Sequence, residues 1–471
     1  MKTRDMFIGR KNELELLENL YKSDNFEMLI LHGRRRVGKS YLLSHFAKLH
    51  SKNTVYFTGD KSSEKKNVQA FCEELDNVLQ VGDFIKSFTT WNDIYSFFKN
   101  TEIKERLVLI IDEFTYLYNS NPAFDSGLQN AIDRILKTKN IFLILCGSEV
   151  PVIEDIIDNA AKPLYGRKTA EIKLLPFTYK EAREFFPNYS NSDALIAYSI
   201  LGGIPLYLSL FDDTLSIKDN VIKTCLSTTG FLFNEIETIL RMELNEPHLY
   251  KSIMHAINAG ASTFSTIKDK VDEDSAKVAK YLNVLINLGF LKKEIPCGEK
   301  GKTRNTLYSI DDNFFAFYFA FIFKHQNMLS GLISPKLYYE REFTKEKLNA
   351  YVGLRFESIC KSYLINLFYN GEMQFYAENI GRWWGNNPIL KRQEEIDILA
   401  IDDDNAIICE CKYTDKPFDE DELQDLKDSA LCIKQQNKSF MIFSKSGVTP
   451  GVQKMIENNP DYSIITLDDL F

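Results

Sequence analysis

Apolar and polar positions alternate along this chain in blocks of two kinds. Between residues 28 and 175, apolar runs of strand length at 28–31, 54–57, 106–111, 141–146 and 170–174 are separated by stretches with helical spacing. Short continuous apolar runs fit strands buried in a parallel sheet. Their alternation with helices predicts an α/β doubly wound core, with ligand bound at the carboxyl ends of the strands. From 176 to about 246 the pattern is helical throughout. It breaks at Gly202 and Gly203, and Pro205 suits the first turn of the next helix. Three helical segments follow, at 249–257, 264–271 and 276–288, the later two opened by Ser262-Thr263 and Asp274-Ser275 caps. A strand and hairpin come next, so this stretch reads as a winged helix. Val278, Leu282 and Leu285 fall on the inward face of its third helix, and Ser275, Lys277, Lys280 and Tyr281 on the outward face. The aromatic run 314–323 reads as a buried helix, since a membrane span needs ~20 apolar residues. The last part reads as a helix at 353–368, strands at 395–401 and 406–413, a helix at 419–435 and a strand at 439–443.

Composition narrows this picture. The 471 residues suggest about three domains at ~150 residues each. Hydrophobic content of 44% and charged content of 26% are those of an ordinary globular chain. A net charge of −9 argues against coating nucleic acid by bulk electrostatics, so any such contact must use local basic patches. Lys277, Lys280, Lys292, Lys293, Lys300, Lys302 and Arg304 form one such candidate patch on the third helix and the wing. DNA in the major groove is the partner that this patch suggests, although winged helices also serve as protein-interaction modules. The eight cysteines have no regular pairing pattern. Reduced thiols, the absence of a signal-peptide pattern and the absence of a membrane segment point to a cytoplasmic protein without a membrane partner.

Residues 33–40 fit the phosphate-binding pattern G-x-x-x-x-G-K-[ST]. Gly33 and Gly38 allow a tight turn whose amides aim at phosphate oxygens, with Arg34, Arg35, Arg36 and Val37 between them. Lys39 would meet the β- and γ-phosphates, Ser40 would offer a hydroxyl to Mg²⁺, and Tyr41 begins the helix whose N-terminus faces the anion. Ile8, with Phe7 and Gly9, stands where a chain packs on adenine, though a helix-start turn explains these residues as well. Asp112 and Glu113 end the strand at 106–111: Asp112 for the Mg²⁺ shell, Glu113 to polarise the attacking water. Ser148, after the strand at 141–146, is a candidate to sense the γ-phosphate, with a loop-capping serine as the competing reading. Arg167 precedes the last strand of the core, where an oligomeric ATPase presents an arginine to its neighbour's γ-phosphate. A surface arginine bonded to a carboxylate is the alternative.

A second constellation lies near the C-terminus. Glu410 and Lys412 are two apart on a strand and share a face, and the preceding hairpin strand can bring Asp397 beside them. Asp397 and Glu410 would hold Mg²⁺ with hard oxygens, and Lys412 would lower the pKa of an attacking water or stabilise charge at phosphorus. Glu357, on the helix at 353–368, is a further carboxylate candidate for the metal. Alternating charge on a solvated strand produces E-x-K without any chemistry, so the flanking apolar residues and the order of elements carry the reading.

With these residues in hand, the whole chain resembles the archaeal-type P-loop ATPases, a branch allied to the AAA+ and STAND ATPases. The resemblance rests on Phe7 to Arg10, Gly33 to Ser40, Ile111 to Phe114, Gly147-Ser148, Leu164 to Arg167, Gly202 to Pro205, the aromatic run from Phe314, Gly381 to Gly385, Glu395 to Asp397 and Glu410 to Lys412. It implies a P-loop NTPase sheet at 1–175, a helical lid at 176–246, a winged helix at 247–312, an aromatic connector at 313–345 and a restriction-endonuclease-like α/β domain at 346–471. It implies ATP and Mg²⁺ as cofactors, and hydrolysis of ATP. Two functions remain open: an ATPase coupled to DNA or RNA engagement with metal-dependent cleavage, and a STAND-type assembly switch with an inactive nuclease-like domain.

Overall fold

In the computed structural model, residues 7–299 and 305–471 are described. The chain divides into two compact units. The first runs through Phe177 and includes Ile204–Leu206; the second comprises Thr178–Gly203 and Tyr207–Phe471.

The first unit is built on five strands: β1 (Glu27–His32), β2 (Thr54–Thr58), β3 (Leu107–Asp112), β4 (Ile141–Gly147) and β5 (Ala170–Lys173). Their order is β2-β3-β4-β1-β5 and every pairing is parallel. β3 and β4 are buried at every position, as strands covered on both faces must be. Met28, Val55, Phe71, Trp91, Leu109 and Leu143 belong to one apolar cluster across this sheet. Helix α1 (Lys11–Tyr21) precedes the sheet, and α2 (Lys39–Leu49) starts directly from the phosphate-binding turn.

The second unit opens with short helices. Ser190 and Ser216 accept hydrogen bonds from the third amides of two of them. Helices α3 (Pro247–Asn258), α4 (Phe264–Val271) and α5 (Ser275–Asn287) follow, then an antiparallel pair, β6 (Leu291–Glu294) and β7 (Leu307–Ile310). The Thr263 and Asp274 side chains cap α4 and α5, as their positions in the sequence indicate. The aromatic run from Phe314 to Ile322 is buried apart from Ala320. Helix α6 (Lys345–Tyr369) then leads to a mixed sheet of order β12-β11-β10-β9-β8, comprising β8 (Asn379–Asn387), β9 (Arg392–Ile401), β10 (Asn405–Lys412), β11 (Asn437–Ser444) and β12 (Tyr462–Ile465). β8–β9–β10 are antiparallel, and β10–β11–β12 are parallel. Helix α7 (Glu420–Ser429) makes the crossover between β10 and β11, burying Leu423 and Leu426.

Candidate functional site

The phosphate-binding turn joins β1 to α2. Gly33 is at φ 151°, and a Cβ there would lie 2.4 Å from the Leu174 carbonyl oxygen, so only glycine lets this backbone pass. Gly38 turns the chain into α2 at φ 95°, and Arg36 also takes a left-handed conformation at φ 70°. Lys39 is buried, and its Nζ donates to the carbonyls of Gly33 (2.7 Å) and Arg34 (3.0 Å). Burial draws its ammonium below the usual lysine value, against the attraction of Cys146, Glu113 and Asp112. Ser40 Oγ donates to Asp112 Oδ2 at 2.6 Å. Val37 packs its side chain in the core, Arg35 reaches the Tyr116 hydroxyl at 3.4 Å, and Tyr41 is exposed. Phe7 stacks on His45 and Tyr41 with ring centroids 4.0 and 5.6 Å apart, while the adjoining Ile8 is partly buried.

Asp112 ends β3 only 3% exposed. Its Oδ1 accepts from the Glu113 amide at 3.0 Å. Glu113 takes a left-handed conformation at φ 52°, and Ser148 Oγ, just beyond β4, lies 3.0 Å from both of its carboxylate oxygens. Ser40, Asp112, Glu113 and Ser148 thus come together at the carboxyl ends of neighbouring strands. Two hard oxygens at contact distance fit Mg²⁺, which binds few protein groups and takes its other ligands from phosphate and water. Arg167 is not at this cluster. Its guanidinium is spent on Asp133 (2.7 Å) and on the Pro163 and Tyr165 carbonyls, the arrangement of a surface arginine bonded to a carboxylate.

The C-terminal constellation assembles on β9 and β10. Their antiparallel register pairs Ile398 with Cys409, which brings Asp397 alongside Glu410. Asp397 Oδ2 accepts from the Cys411 amide at 2.8 Å, and Lys412 Nζ lies 2.9 Å from Glu410 and 3.7 Å from Glu422. Burial pushes the Asp397 carboxyl well above its usual range, and the negative charge of Glu357 adds to this. Glu410 is raised by burial and then by Asp397, with Lys412 opposing. Lys412 loses by burial, but Glu410 more than compensates and its ammonium is held above the ordinary value. Glu357 is itself raised by burial, against the attraction of Arg382. Among the described residues, no three His, Cys, Asp or Glu side chains are grouped so as to hold one ion. Glu357 acts on Asp397 through its charge.

Residues 7–211 match a family model described as an ATPase domain predominantly from Archaea, and residues 318–426 match one for archaeal and bacterial proteins of unknown function. An uncharacterised protein of Methanocaldococcus jannaschii is 30% identical over 412 residues, spanning 87% of this chain and 88% of the relative. The chain belongs to the archaeal-type P-loop ATPases. An uncharacterised ATP-binding protein of the same organism is 49% identical over 41 residues, covering 9% of this chain and 70% of that one. A solved Walker-type ATPase of Pyrococcus abyssi is 20% identical, covers 67% of this chain and 97% of its own, and superposes with a TM-score of 0.49.

In this ATPase the lysines on α5 and around β6 are unequally available. Lys280 and Lys293 are exposed. Lys277 is 3.4 Å from Glu273 and 3.6 Å from Glu246, and Lys292 is 3.0 Å from Glu294. Lys300, Lys302 and Arg304 lie outside the described residues. Tyr281 corrects the helical-face reading. It is buried, stacks on Tyr250 at 4.3 Å and donates to Glu246 at 2.6 Å, because α3 packs against that side of α5. The hairpin after β6 is also engaged: the Cys297 amide donates to the Arg382 carbonyl at 2.9 Å, and its thiol to the Leu399 carbonyl at 3.2 Å.

Two residues at the nucleotide site have no role assigned from the sequence. Arg10 donates to the Val37 carbonyl (3.0 Å) and the Leu175 carbonyl (2.7 Å), and its guanidinium lies 4.2 Å from the Phe177 ring, tying the phosphate turn to the chain after β5. Tyr56 on β2 donates to Asp112 Oδ2 at 2.8 Å. A tyrosine at an internal strand position looks like any core aromatic until the register of β2 on β3 is known.

Proposed function

We propose that this protein hydrolyses ATP with Mg²⁺ and uses nucleotide state to govern engagement of DNA or RNA, with metal-dependent cleavage by its C-terminal carboxylates. The observation that carries the ATPase half is the convergence of Ser40, Asp112, Glu113 and Ser148 beside the phosphate turn. The turn amides and Lys39 bind the phosphates. Ser40 and Asp112 hold Mg²⁺, which spreads the charge of the β- and γ-phosphates. Glu113 accepts a proton from the attacking water, and Ser148 orients that carboxylate. Ile8 with Phe7 would lie against adenine, and Arg167 would have to leave Asp133 to serve a neighbouring copy in an oligomer. In the C-terminal unit, Asp397 and Glu410 bear charge that the fold disfavours, which a divalent cation relieves, and Lys412 supports charge at phosphorus.

Cleavage of labelled single- and double-stranded DNA and RNA, with Mg²⁺ or Mn²⁺ and with or without ATP, tests this reading. The expected result is metal-dependent cutting by wild type that is absent from Asp397→Ala and Lys412→Ala. Folded, ATP-hydrolysing wild type that cuts nothing would overturn the nuclease half.

A second reading, an ATP-driven assembly switch, is favoured by one observation: the hairpin after β6 is bonded to the C-terminal sheet through Cys297, as an interaction module would be. A salt titration of DNA binding separates the two. Affinity that falls steeply with salt reports phosphate contacts by Lys280 and Lys293, whereas no binding at low salt selects the switch.

A further inference from the structure

Hydrogen bonds from the protein hold the Asp112 carboxylate. The Glu113 amide serves Oδ1 at 3.0 Å, while Ser40 Oγ at 2.6 Å and Tyr56 Oη at 2.8 Å both serve Oδ2. Ser40 lies on the flexible side of this arrangement, since its oxygen is also the one a Mg²⁺ ion would draw upon. Tyr56 comes from elsewhere. β2 pairs with β3 so that Thr58 sits opposite Asp112, and Tyr56, two residues earlier, projects from the same face. Its long side chain spans that step, and only the phenol oxygen arrives at the carboxylate. Ser44, one turn beyond Ser40 on α2, is close enough to the Tyr56 hydroxyl to act on it. α2 and β2 therefore hold Asp112 together, Ser40 from the helix and Tyr56 from the strand.

We infer that Tyr56 is a positioning residue for the divalent cation: its hydroxyl fixes the Asp112 carboxylate in the orientation that receives the Mg²⁺ water shell. This rests on the Mg²⁺–ATP reading of the site. A carboxylate that meets a metal through water works only when its rotamer is set, and partners behind the metal-facing group are worth about tenfold to a hundredfold in metal affinity. The role is separate from binding the nucleotide itself. Tyr56 lies on a different strand from the phosphate turn and makes no hydrogen bond to it among the described residues.

The test is equilibrium binding of a fluorescent ATP analogue to the full chain, titrated with Mg²⁺ and repeated in EDTA, for wild type, Tyr56→Phe and Ser44→Ala. Phosphate release against Mg²⁺ concentration is read in parallel, and thermal melting monitors the fold. Tyr56→Phe is expected to raise the Mg²⁺ needed for half-maximal tightening by about tenfold. Affinity in EDTA should stay at the wild-type value, and Mn²⁺ should recover part of the loss. Ser44→Ala, which leaves the phenol in place, should shift the same midpoint by about twofold, and it supplies the reading should Tyr56→Phe melt early. A wild-type Mg²⁺ midpoint in Tyr56→Phe overturns the inference. So does an equal loss of affinity with and without Mg²⁺, which would make Tyr56 a packing residue only. Wild type whose nucleotide affinity ignores Mg²⁺ would remove the Mg²⁺–ATP reading itself, a result distinct from either.

Discussion

Both units bring two carboxylates close to a lysine, but they satisfy them differently. In the first unit Asp112 takes donors from Ser40, Tyr56 and the Glu113 amide, Glu113 takes Ser148, and Lys39 rests on backbone carbonyls of its own loop. No carboxylate there leans on the lysine. In the second unit Asp397 has one amide donor, Glu410 depends on Lys412, and burial with mutual repulsion raises both acids. The first arrangement is complete in the protein alone and is ordered to receive a ligand that brings its own cation on phosphate. The second carries uncompensated negative charge, which favours a cation arriving by itself.

The comparison is broken most forcefully at Lys39. Lys39→Ala should lower ATP turnover by at least about a hundredfold and abolish nucleotide binding at micromolar concentration, measured by phosphate release and filter binding. Turnover at the wild-type rate would contradict the site assignment. Glu113→Gln should retain ATP binding while hydrolysis falls by about a hundredfold, so that radiolabelled ATP is recovered unhydrolysed from the protein. Ser148→Ala sharpens the picture on a smaller scale. Its hydroxyl orients Glu113 in the turnover geometry, so kcat should fall by about tenfold with little change in KM. A rise in kcat would mean instead that the serine restrains the glutamate.

The same contrast explains what could be read from the chain. The phosphate turn is local: seven consecutive bonds hold Gly33 to Ser40 in register, and each position has a steric or electrostatic duty that admits few residue types. Asp112 and Glu113 were legible because a buried strand ends in charge. Asp397, Glu410 and Lys412 were found only through the alternation of strand faces, since their meeting depends on a hairpin register. Tyr56 leaves no such signal, and the run Phe7 to Arg10 does not show what Arg10 binds. Each acts across the sheet on a residue distant in sequence, Tyr56 on Asp112 and Arg10 on Val37 and Leu175. The outward placement of Tyr281 failed for a related reason. Helical periodicity marks one buried face, and α5 has a second neighbour in α3, where Tyr250 covers the ring. Arg167 pairs with Asp133, 34 residues earlier and on a helix, and sequence alone does not show that ion pair.

The smallest expected effect is the one that separates the two carboxylate pairs most cleanly. Glu410→Gln removes one charge from a pair that the fold holds above the ordinary carboxylate range. Free Asp and Glu titrate near pH ~4, so between there and neutrality the folded protein binds more protons than the unfolded chain. Stability of the wild type in this region is therefore fully present below pH ~4 and declines as pH rises through the folded-state values. With Gln at 410, the raised acid no longer titrates, so the decline flattens. The variant should melt higher than wild type at neutral pH, by an amount on the order of 1 kcal/mol, and the two should converge at acidic pH. Mn²⁺ should raise the melting temperature of wild type more than that of Glu410→Gln, because the cation binds the charge that the substitution removes. The corresponding substitution Asp112→Asn should behave in the opposite way and destabilise at neutral pH, since the donors of Ser40, Tyr56 and the Glu113 amide are arranged around a carboxylate. Melting curves of both variants from acidic to neutral pH check this directly. If Glu410→Gln melts at or below wild type at neutral pH, the C-terminal carboxylates are as well satisfied by the protein as Asp112 is, and the case for a cation there loses its physical basis.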